Sequence, residues 1–335
     1  MVVKATDAEF IRAWDIHKSP VKIAKQFDMD VSNVYKRRTR LETKMGLVLK
    51  IGKMTSGGRG GPHTAKRDRR EVNAESRFNS IEPEIPLSII NGSIVIFSDA
   101  HYWPGLITKA HSALVAVVAK LKPVVVLANG DLLDGATISR HPRSGWEHRP
   151  TVAQEVEAVC SRMKEIEKVA GSAQLVRTIG NHDARFENYI SANAPLLEGI
   201  HGTNLFDFLP RWRACWTVHV NPKTNGWTVI RHVHVAGGIH SAYGSTVRAG
   251  THYVHGHLHK LQVTPFGDYR GRRYGVDSGT LADPDGPQFS YCQGAPLNWC
   301  SGFAVLTFVD GNLLPPELCE VINGTPWFRG EKVKI

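Results

Sequence analysis

Four short runs of polar residues hold the side chains of this sequence that are best suited to chemistry. Each follows an apolar stretch, and together they supply carboxylates, imidazoles and one amide: Asp99-Ala100-His101, Gly130-Asp131-Leu132-Leu133-Asp134, Gly180-Asn181-His182-Asp183 and Gly256-His257-Leu258-His259. The end of a buried strand is where open α/β sheets bind their ligands. Imidazole and carboxylate groups gathered at such an edge suit divalent metal ions. The four runs therefore predict a site for two metal ions.

These runs resemble the motifs of the calcineurin-like metallophosphoesterase family, whose pattern is DxH, GDxxD, GNH followed by Asp or Glu, a single His, and GHxH. Four of the five blocks match without gaps over residues 94–259. The resemblance is to the phage-type and DNA-nuclease branch, and it implies a four-layer α/β/β/α sandwich. It also implies a hydrolase of phosphoesters whose nucleophile is a hydroxide shared by two metals.

The resemblance implies a set of metal ligands drawn from all four runs. One metal would be bound by Asp99, His101 and His259, the second by Asn181, His257 and one further histidine, and both by Asp131 as a bridge. The donor set contains no thiolate, which removes the strongest argument for zinc alone. Two divalent ions, with Mn²⁺ expected first and Fe, Zn or Mg as alternatives, would attract a phosphodiester and offset the charge that grows on its oxygens.

The resemblance also implies catalytic roles in the third run. His182 would face the scissile phosphate as a general acid or electrostatic stabiliser, and Asp183 beside it would help to orient it. Asp134 is expected to support its turn rather than to bind metal.

The fourth block departs from the family pattern. Where the family shows a strand that ends in His-Gly, this sequence reads Arg231-His232-Val233-His234-Val235-Ala236-Gly237-Gly238-Ile239-His240. His232 and His234 would alternate onto one face of a strand, and His240 follows the glycines. We favour His232 as the ligand, and His234 and His240 remain alternatives.

Two features beside the motifs suit a substrate. Tyr102 and Trp103 directly follow a predicted metal ligand, where their rings could stack a base or ribose or could equally pack into the core. Arg185 and Arg248 could clamp phosphate oxygens, although a surface ion pair is the more common fate of a lone arginine.

Strand and helix patterns alternate around the first three runs. We predict strands over 93–97, 124–127 and 174–178 and helices over 106–120 and 152–168, an order typical of an α/β layered fold. From residue 216 onwards strands dominate, at 228–234, 253–255, 263–266 and 303–308, with a hairpin turn at 268–271. The phosphoesterase domain is predicted to span residues 87–335.

The N-terminal region has the pattern of a helix-turn-helix module, which we place at residues 1–50. Ser19 and Pro20 predict the start of a helix, Asp28 turns the chain where such modules usually have Gly, and Asp30 can cap a second helix. That second helix carries side chains suited to base edges and phosphates: Ser32, Asn33, Lys36, Arg37, Arg38 and Arg40. A helical oligomerisation arm with a basic surface is the alternative.

The positive charge of the protein is concentrated at the same end. The net charge is +10, and residues 1–80 hold 18 Lys and Arg against 9 Asp and Glu. Residues 51–86 are rich in Gly, Ser and charged residues, a composition typical of a flexible linker. Local positive charge suits a polyanion, so DNA is the expected partner. A solvated basic face that keeps the protein soluble is the alternative.

The composition excludes several other classes of protein. The 335 residues are 42% hydrophobic and 21% charged, which is ordinary for a globular chain. No stretch reaches the roughly 18 apolar residues of a membrane span, and residues 1–10 lack the apolar core of a signal peptide. We therefore expect a cytoplasmic protein without membrane contact. The five cysteines form no CxxC pair and predict free thiols rather than disulfides.

Together these patterns predict a two-metal phosphodiesterase that acts on nucleic acid, most simply a DNA nuclease. A first alternative is an enzyme of the same chemistry that acts on small phosphoesters or phosphoproteins and uses its N-terminal module to form a homo-oligomer. A second is a DNA-binding protein whose metal site is not catalytic.

Overall fold

The computed structural model describes residues 6–45, 49, 81–140, 147–292, 295 and 297–335. They divide into two compact units, one within Met1–Arg67 and the other within Asp68–Ile335. Most of the predicted linker lies outside the described residues. In the described part, no helix is long and apolar enough to cross a membrane.

Three described helices form the N-terminal unit: α1 (Asp7–His17), α2 (Pro20–Gln26) and α3 (Val31–Met45). Pro20 occupies the first turn of α2, as its fixed φ favours. Asp28 turns the chain with a φ of 47°, and the carboxylate of Asp30 accepts a hydrogen bond of 2.7 Å from the backbone N–H of Ser32. The helices share one apolar core made of Phe10, Trp14, Ile23, Ala24, Val34, Leu41 and Leu49.

The larger unit contains four described α-helices and fourteen strands. The helices are α4 (Lys109–Leu121), α5 (Val152–Val169), α6 (Ala184–Asn193) and α7 (Ser241–Ala249). The first seven strands are β1 (Glu82–Leu87), β2 (Gly92–Phe97), β3 (Val125–Asn129), β4 (Gln174–Thr178), β5 (Arg213–Val220), β6 (Thr228–Ile230) and β7 (His252–His255). The others are β8 (Gln262–Asp268), β9 (Gly271–Asp277), β10 (Gly302–Val309), β11 (Asn312–Leu313), β12 (Glu317–Ile322), β13 (Thr325–Phe328) and β14 (Glu331–Lys332).

The strands are joined in the order β14-β13-β12-β10-β2-β3-β4-β5-β6-β7-β9-β8, with β1 beside β5 and β11 beside β10. Neighbours from β2 to β5 are parallel, and so are β6, β7 and β9. The carboxyl ends of β2, β3 and β4 therefore lie at one edge of the sheet, and those of β6, β7 and β9 also lie together.

Alternate residues of β2 show that the sheet folds into two layers. Val95 and Phe97 face a core shared with α4 and α5, whereas Ile94 and Ile96 face a second core formed with β5, β6, β7 and β9. Helix α7 packs against β7, β8 and β9. The layers run helix, sheet, sheet, helix, and the predicted α/β/β/α sandwich with a small helical N-terminal unit is confirmed.

Two predicted boundaries were wrong. Residues 82–86, predicted to belong to the linker, are part of β1. The side chains of Ile85 and Leu87 are buried in the core between the layers, and the strand pairs with β5. The strand predicted over 228–234 ends at Ile230, and the chain beyond it leaves the sheet.

Candidate dinuclear metal centre

The residues of the four runs lie just beyond the carboxyl ends of four strands, and His232 lies beyond the end of a fifth. Asp99 and His101 follow β2, Asp131 follows β3, Asn181 and His182 follow β4, His232 follows β6, and His257 and His259 follow β7. These strands belong to both layers of the sandwich, so the site is built where the two layers meet at one edge.

One cluster consists of Asp99, His101 and His259, whose ligand atoms all lie within 4.8 Å of one another. The Nε2 atom of His259 is 3.1 Å from Oδ1 of Asp99. The Nδ1 atom of His101 is 3.1 Å from Oδ1 of Asp134, while its buried Nε2 has no hydrogen-bond partner among the described residues. A buried imidazole nitrogen in that condition is the atom that a cation would use.

A second cluster consists of Asp131, His232 and His257, again with ligand atoms within 4.8 Å. The Nε2 atom of His232 is 3.1 Å from Oδ2 of Asp131 and 3.2 Å from Oδ1 of Asn181. Its Nδ1 lies 2.7 Å from the carbonyl oxygen of Asn129, to which it donates a hydrogen bond. This bond keeps a proton on Nδ1, so Nε2, which faces the cluster, is the atom that a metal would bind once it has lost its own proton.

The backbone of the site is strained. Five of its residues have positive φ angles: Asp99 (52°), His101 (39°), Asp131 (55°), His257 (71°) and His259 (59°). Side-chain-bearing residues seldom adopt this conformation, which costs on the order of 1–3 kcal/mol each and concentrates at functional sites. These backbone conformations direct the side chains of residues that follow different strands into the same two clusters.

Two glycines of the motifs are required by the close approach of these side chains. A Cβ atom on Gly180 would overlap the carboxylate of Asp131, and one on Gly256 would lie 2.5 Å from Oδ2 of Asp99. The glycines therefore make room for the two carboxylates.

A comparison with known families agrees with this geometry. Residues 92–261, half of the chain and the stretch that holds both clusters, match the model described as calcineurin-like phosphoesterase. The chain belongs to the calcineurin-like phosphoesterase family.

Two phage proteins and one solved structure are similar to this phosphoesterase. The Gene 54 protein of Mycobacterium phage D29 is 29% identical over 251 residues, and that of Mycobacterium phage L5 is 29% identical over 252 residues. Each match covers 69% of this chain and 94% of the phage protein. The zinc-complexed Vps29 of Entamoeba histolytica matches with a TM-score of 0.40 and 12% identity, over 72% of this chain and 99% of its own.

The electrostatics of this metallophosphoesterase centre suit divalent cations. Burial acts to raise the pKa of Asp99, but the imidazoles of His259 and His232 outweigh it and lower that pKa to about 2. Burial acts to lower the pKa of His232, but the charges of Asp131 and Asp99 raise it to about 10. The carboxylates thus hold a proton on an imidazole, and a bound cation would displace that proton. Buried nitrogen and oxygen donors in two clusters fit the dinuclear site that the family typically has.

His182 lies beside the first cluster and is held by Asp134. Its ring centroid is 4.6 Å from that of His101. Its Nδ1 is 2.8 Å from the backbone carbonyl oxygen of Asp134 and 3.3 Å from the carboxylate of the same residue. Nη2 of Arg185 lies 3.1 Å from its Nε2. Asp134 therefore contacts two rings of the centre, beyond the turn-supporting role predicted from the sequence.

Asp183 has a different role from the one predicted. Its buried carboxylate accepts hydrogen bonds from four backbone N–H groups, those of Asp131, Leu132, Leu133 and Gly180, at 2.9, 2.9, 3.2 and 3.1 Å. The residue that bonds to the His182 ring is Asp134, which corrects the orienting role expected of Asp183. Asp183 instead joins the loop after β3 to the loop after β4, and so fixes the position of Asp131.

The structure separates the three histidines of the fourth block. His232 lies in the second cluster, as described above. The His234 ring lies 5.7 Å from that of His257, outside the two clusters, and His240 is exposed directly before α7. Because β6 ends at Ile230, His232 and His234 do not share a strand face as expected.

Two supporting residues escaped sequence reasoning. Asn129 orients His232, as described above. Glu155 of α5 accepts hydrogen bonds from the backbone N–H groups of Gly135 and Ala136 at 2.6 and 3.0 Å and so holds the turn after Asp134. The only sequence signal for Asn129 was its position directly before Gly130, and Glu155 looked like an ordinary helix residue.

Proposed function

We propose that this metallophosphoesterase is a nuclease, a phosphodiesterase that uses two divalent cations to hydrolyse DNA. Mn²⁺ is the cation that we expect it to prefer. The observation that carries the proposal is the combination, in one chain, of a phosphoesterase centre with a helical unit whose third helix exposes polar and basic side chains. A phosphodiester backbone is the substrate that both parts would recognise.

The exposed side of α3 has the chemistry expected of a DNA-contacting helix. Val34 and Leu41 point into the core of the unit. The exposed side chains around them are polar, basic or aromatic and include Ser32, Asn33, Tyr35, Lys36, Thr39 and Arg40. Such groups can contact base edges and phosphates from the major groove.

Basic residues of α3 also serve the unit itself: Arg40, although exposed, forms an ion pair of 3.2 Å with Asp7. Arg37 forms an ion pair of 2.8 Å with Asp7, and its guanidinium lies 4.9 Å from the centre of the Phe10 ring. Arg38 forms an ion pair of 3.0 Å with Glu42. We therefore assign the DNA contacts to the exposed residues and give Arg37 and Arg38 a structural role.

Hydrolysis bonds the oxygen of water to phosphorus and breaks the bond from phosphorus to the leaving oxygen, which then needs a proton. When bound, the two cations supply the activation of water and the neutralisation of charge on the phosphate. We assign the proton to His182, whose Nδ1 is held by Asp134 and whose Nε2 reaches the leaving oxygen once Arg185, now 3.1 Å from that nitrogen, turns to the phosphate. Burial lowers the pKa of His182, but the hydrogen bond to Asp134 and the charge of Asp131 raise it above the ordinary value. Arg185, beside Nε2, is placed to contact the same phosphate.

A substrate screen tests the proposal. Linear, nicked, circular and single-stranded DNA are incubated beside bis(p-nitrophenyl) phosphate, each with Mn²⁺, Mg²⁺ or EDTA. We expect DNA cleavage with Mn²⁺ that EDTA abolishes. Cleavage of the chromogenic diester without cleavage of any DNA would favour the small-phosphoester alternative, and DNA binding without cleavage of either would favour a non-catalytic metal site.

The role of α3 is tested separately by the salt dependence of DNA binding. In the full chain, Lys36→Ala should reduce the slope of log K against log salt by about 1, as expected for one lost phosphate contact. Deletion of residues 1–50 should flatten the slope further. The matched control is Lys109→Ala, an exposed lysine at the start of α4. If the wild type, Lys36→Ala and the deletion variant show the same slope of log K against log salt, the N-terminal unit does not bind DNA.

A further inference from the structure

A cavity of about 480 Å³ opens beside His182, and the ligands of the second cluster are not among the residues that line it. His182, Asp134 and Arg185 line it where it meets the centre. Further lining residues, Trp103 and Tyr291 among them, have no part in metal binding or proton transfer as described above. A volume of this size fits a drug-sized organic group. The cavity therefore has room for a substrate group attached to the phosphate.

The aromatic walls of the cavity are anchored to the metal centre. Trp103 stands two residues after the ligand His101. Tyr291 packs edge-on against Phe289 at 6.3 Å, and the Phe289 ring lies 5.3 Å from that of His101 and 5.7 Å from that of His259. Both residues therefore lie beside the metal centre, Tyr291 through its contact with Phe289 and Trp103 through the chain that follows His101.

The polar lining suits a ring that carries hydrogen-bond donors. Gln288 lines the cavity and is only 5% exposed, yet its Oε1 is buried without a hydrogen-bond partner among the described residues. This oxygen lies beside Gly286, and the Gln288 side chain would have to turn it into the cavity for it to accept a hydrogen bond from a ligand. Flat rings that also carry N–H donors are characteristic of nucleobases, and an aromatic wall binds the face of any base.

We propose that this cavity binds the nucleoside that leaves, with its base stacked on Trp103 or Tyr291. This inference rests on the proposed nuclease function and adds which side of the phosphate is recognised. The cavity adjoins His182, the residue assigned to protonate the leaving oxygen, so the group inside it is the one that departs as an alcohol. Arg185, at the boundary, contacts the phosphate between the two substrate groups.

The test compares a thymidine dinucleotide with the methyl phosphodiesters of thymidine, both isomers, in the presence of Mn²⁺. Alanine at the residue that stacks the base, Trp103→Ala or Tyr291→Ala, should raise KM for the dinucleotide by about 5- to 150-fold, the equivalent of the stacking of one base, with a smaller effect on kcat. On the methyl diesters the wild type should release thymidine and methyl phosphate. The alanine variants should shift the products toward methanol and thymidine monophosphate.

Matched controls separate stacking from damage to the fold. Trp103→Phe keeps an aromatic face and should retain most of the affinity. Trp216→Ala and Tyr269→Ala change exposed aromatic residues on β5 and at the β8–β9 turn and should alter neither KM nor the product ratio. Unchanged KM and products in both Trp103→Ala and Tyr291→Ala would overturn the inference and leave the nuclease proposal intact. Hydrolysis of bis(p-nitrophenyl) phosphate without hydrolysis of any nucleoside diester would overturn both.

Discussion

Replacement of Asp183 by Asn tests the account of how the centre is held together. Each carboxylate oxygen of Asp183 accepts two backbone N–H groups, Oδ2 those of Asp131 and Gly180, and Oδ1 those of Leu132 and Leu133. An asparagine has one acceptor oxygen and one NH₂ group. In either orientation of the amide, two of the four buried backbone N–H groups therefore face its NH₂ group, which cannot accept a hydrogen bond.

The cost follows from those two lost bonds. A hydrogen bond to a charged group contributes about 1.5–3 kcal/mol, and a buried donor left without an acceptor costs a similar amount, so the free energy of unfolding should fall by about 3–5 kcal/mol after relaxation. Urea denaturation of the full chain in EDTA, followed by tryptophan fluorescence, measures it, because seven of the eight tryptophans lie beyond residue 100.

The matched control is Asp207→Asn. Asp207 accepts a single hydrogen bond among the described residues, 2.7 Å from the N–H of Gly202, and its replacement should cost about 1 kcal/mol. If Asp183→Asn destabilises the protein no more than this control does, Asp183 does not hold the two loops together.

Four further predictions concern the centre. Asp131→Asn should lose both bound Mn²⁺ and turnover, and full metal content by elemental analysis together with the wild-type rate would contradict a bridging role. His182→Ala should keep two Mn²⁺ per chain but cleave on the order of 10²- to 10⁴-fold more slowly, and an unchanged rate would exclude it as the acid. The affinity for Mn²⁺ should rise from about pH 7 to about pH 9 in calorimetric titrations, since His232 must lose a proton held with a pKa of about 10. Because that pKa is raised in the folded state, charged His232 stabilises the metal-free protein fully below about pH 6.5 and less as the pH rises toward 10, so its unfolding midpoint in urea should fall over that range. A flat pH profile of both quantities would show that His232 is neutral without metal.

Those parts of the site that depend on local spacing could be predicted from the sequence. Asp99 and His101 directly follow one strand, and His257 and His259 directly follow another. The end of the strand therefore fixes the position of each pair. The apolar runs of β2 and β3 are also visible in the sequence, since strands buried on both faces are nearly continuous in apolar residues.

Features that depend on distant partners could not be predicted. Asn129 contacts His232 across 103 positions of the chain, and Glu155 contacts Gly135 across 20. Arg37 looked like a DNA contact because its partner Asp7 lies 30 residues earlier, on another helix. In each case the sequence shows the type of residue but not the distant residue that it contacts, and that contact determines its role.

The centre draws its ligands from both layers of the sandwich. Asp99 follows a strand of the first layer and His259 a strand of the second, 160 positions later. A cation that both residues bind would close this loop much as a disulfide would, and cross-links over long loops remove the most freedom from the opened chain. The metals would then also cross-link the two layers at one edge of the fold. Their removal should make that edge, before any other part of the sandwich, accessible to proteases and to hydrogen exchange.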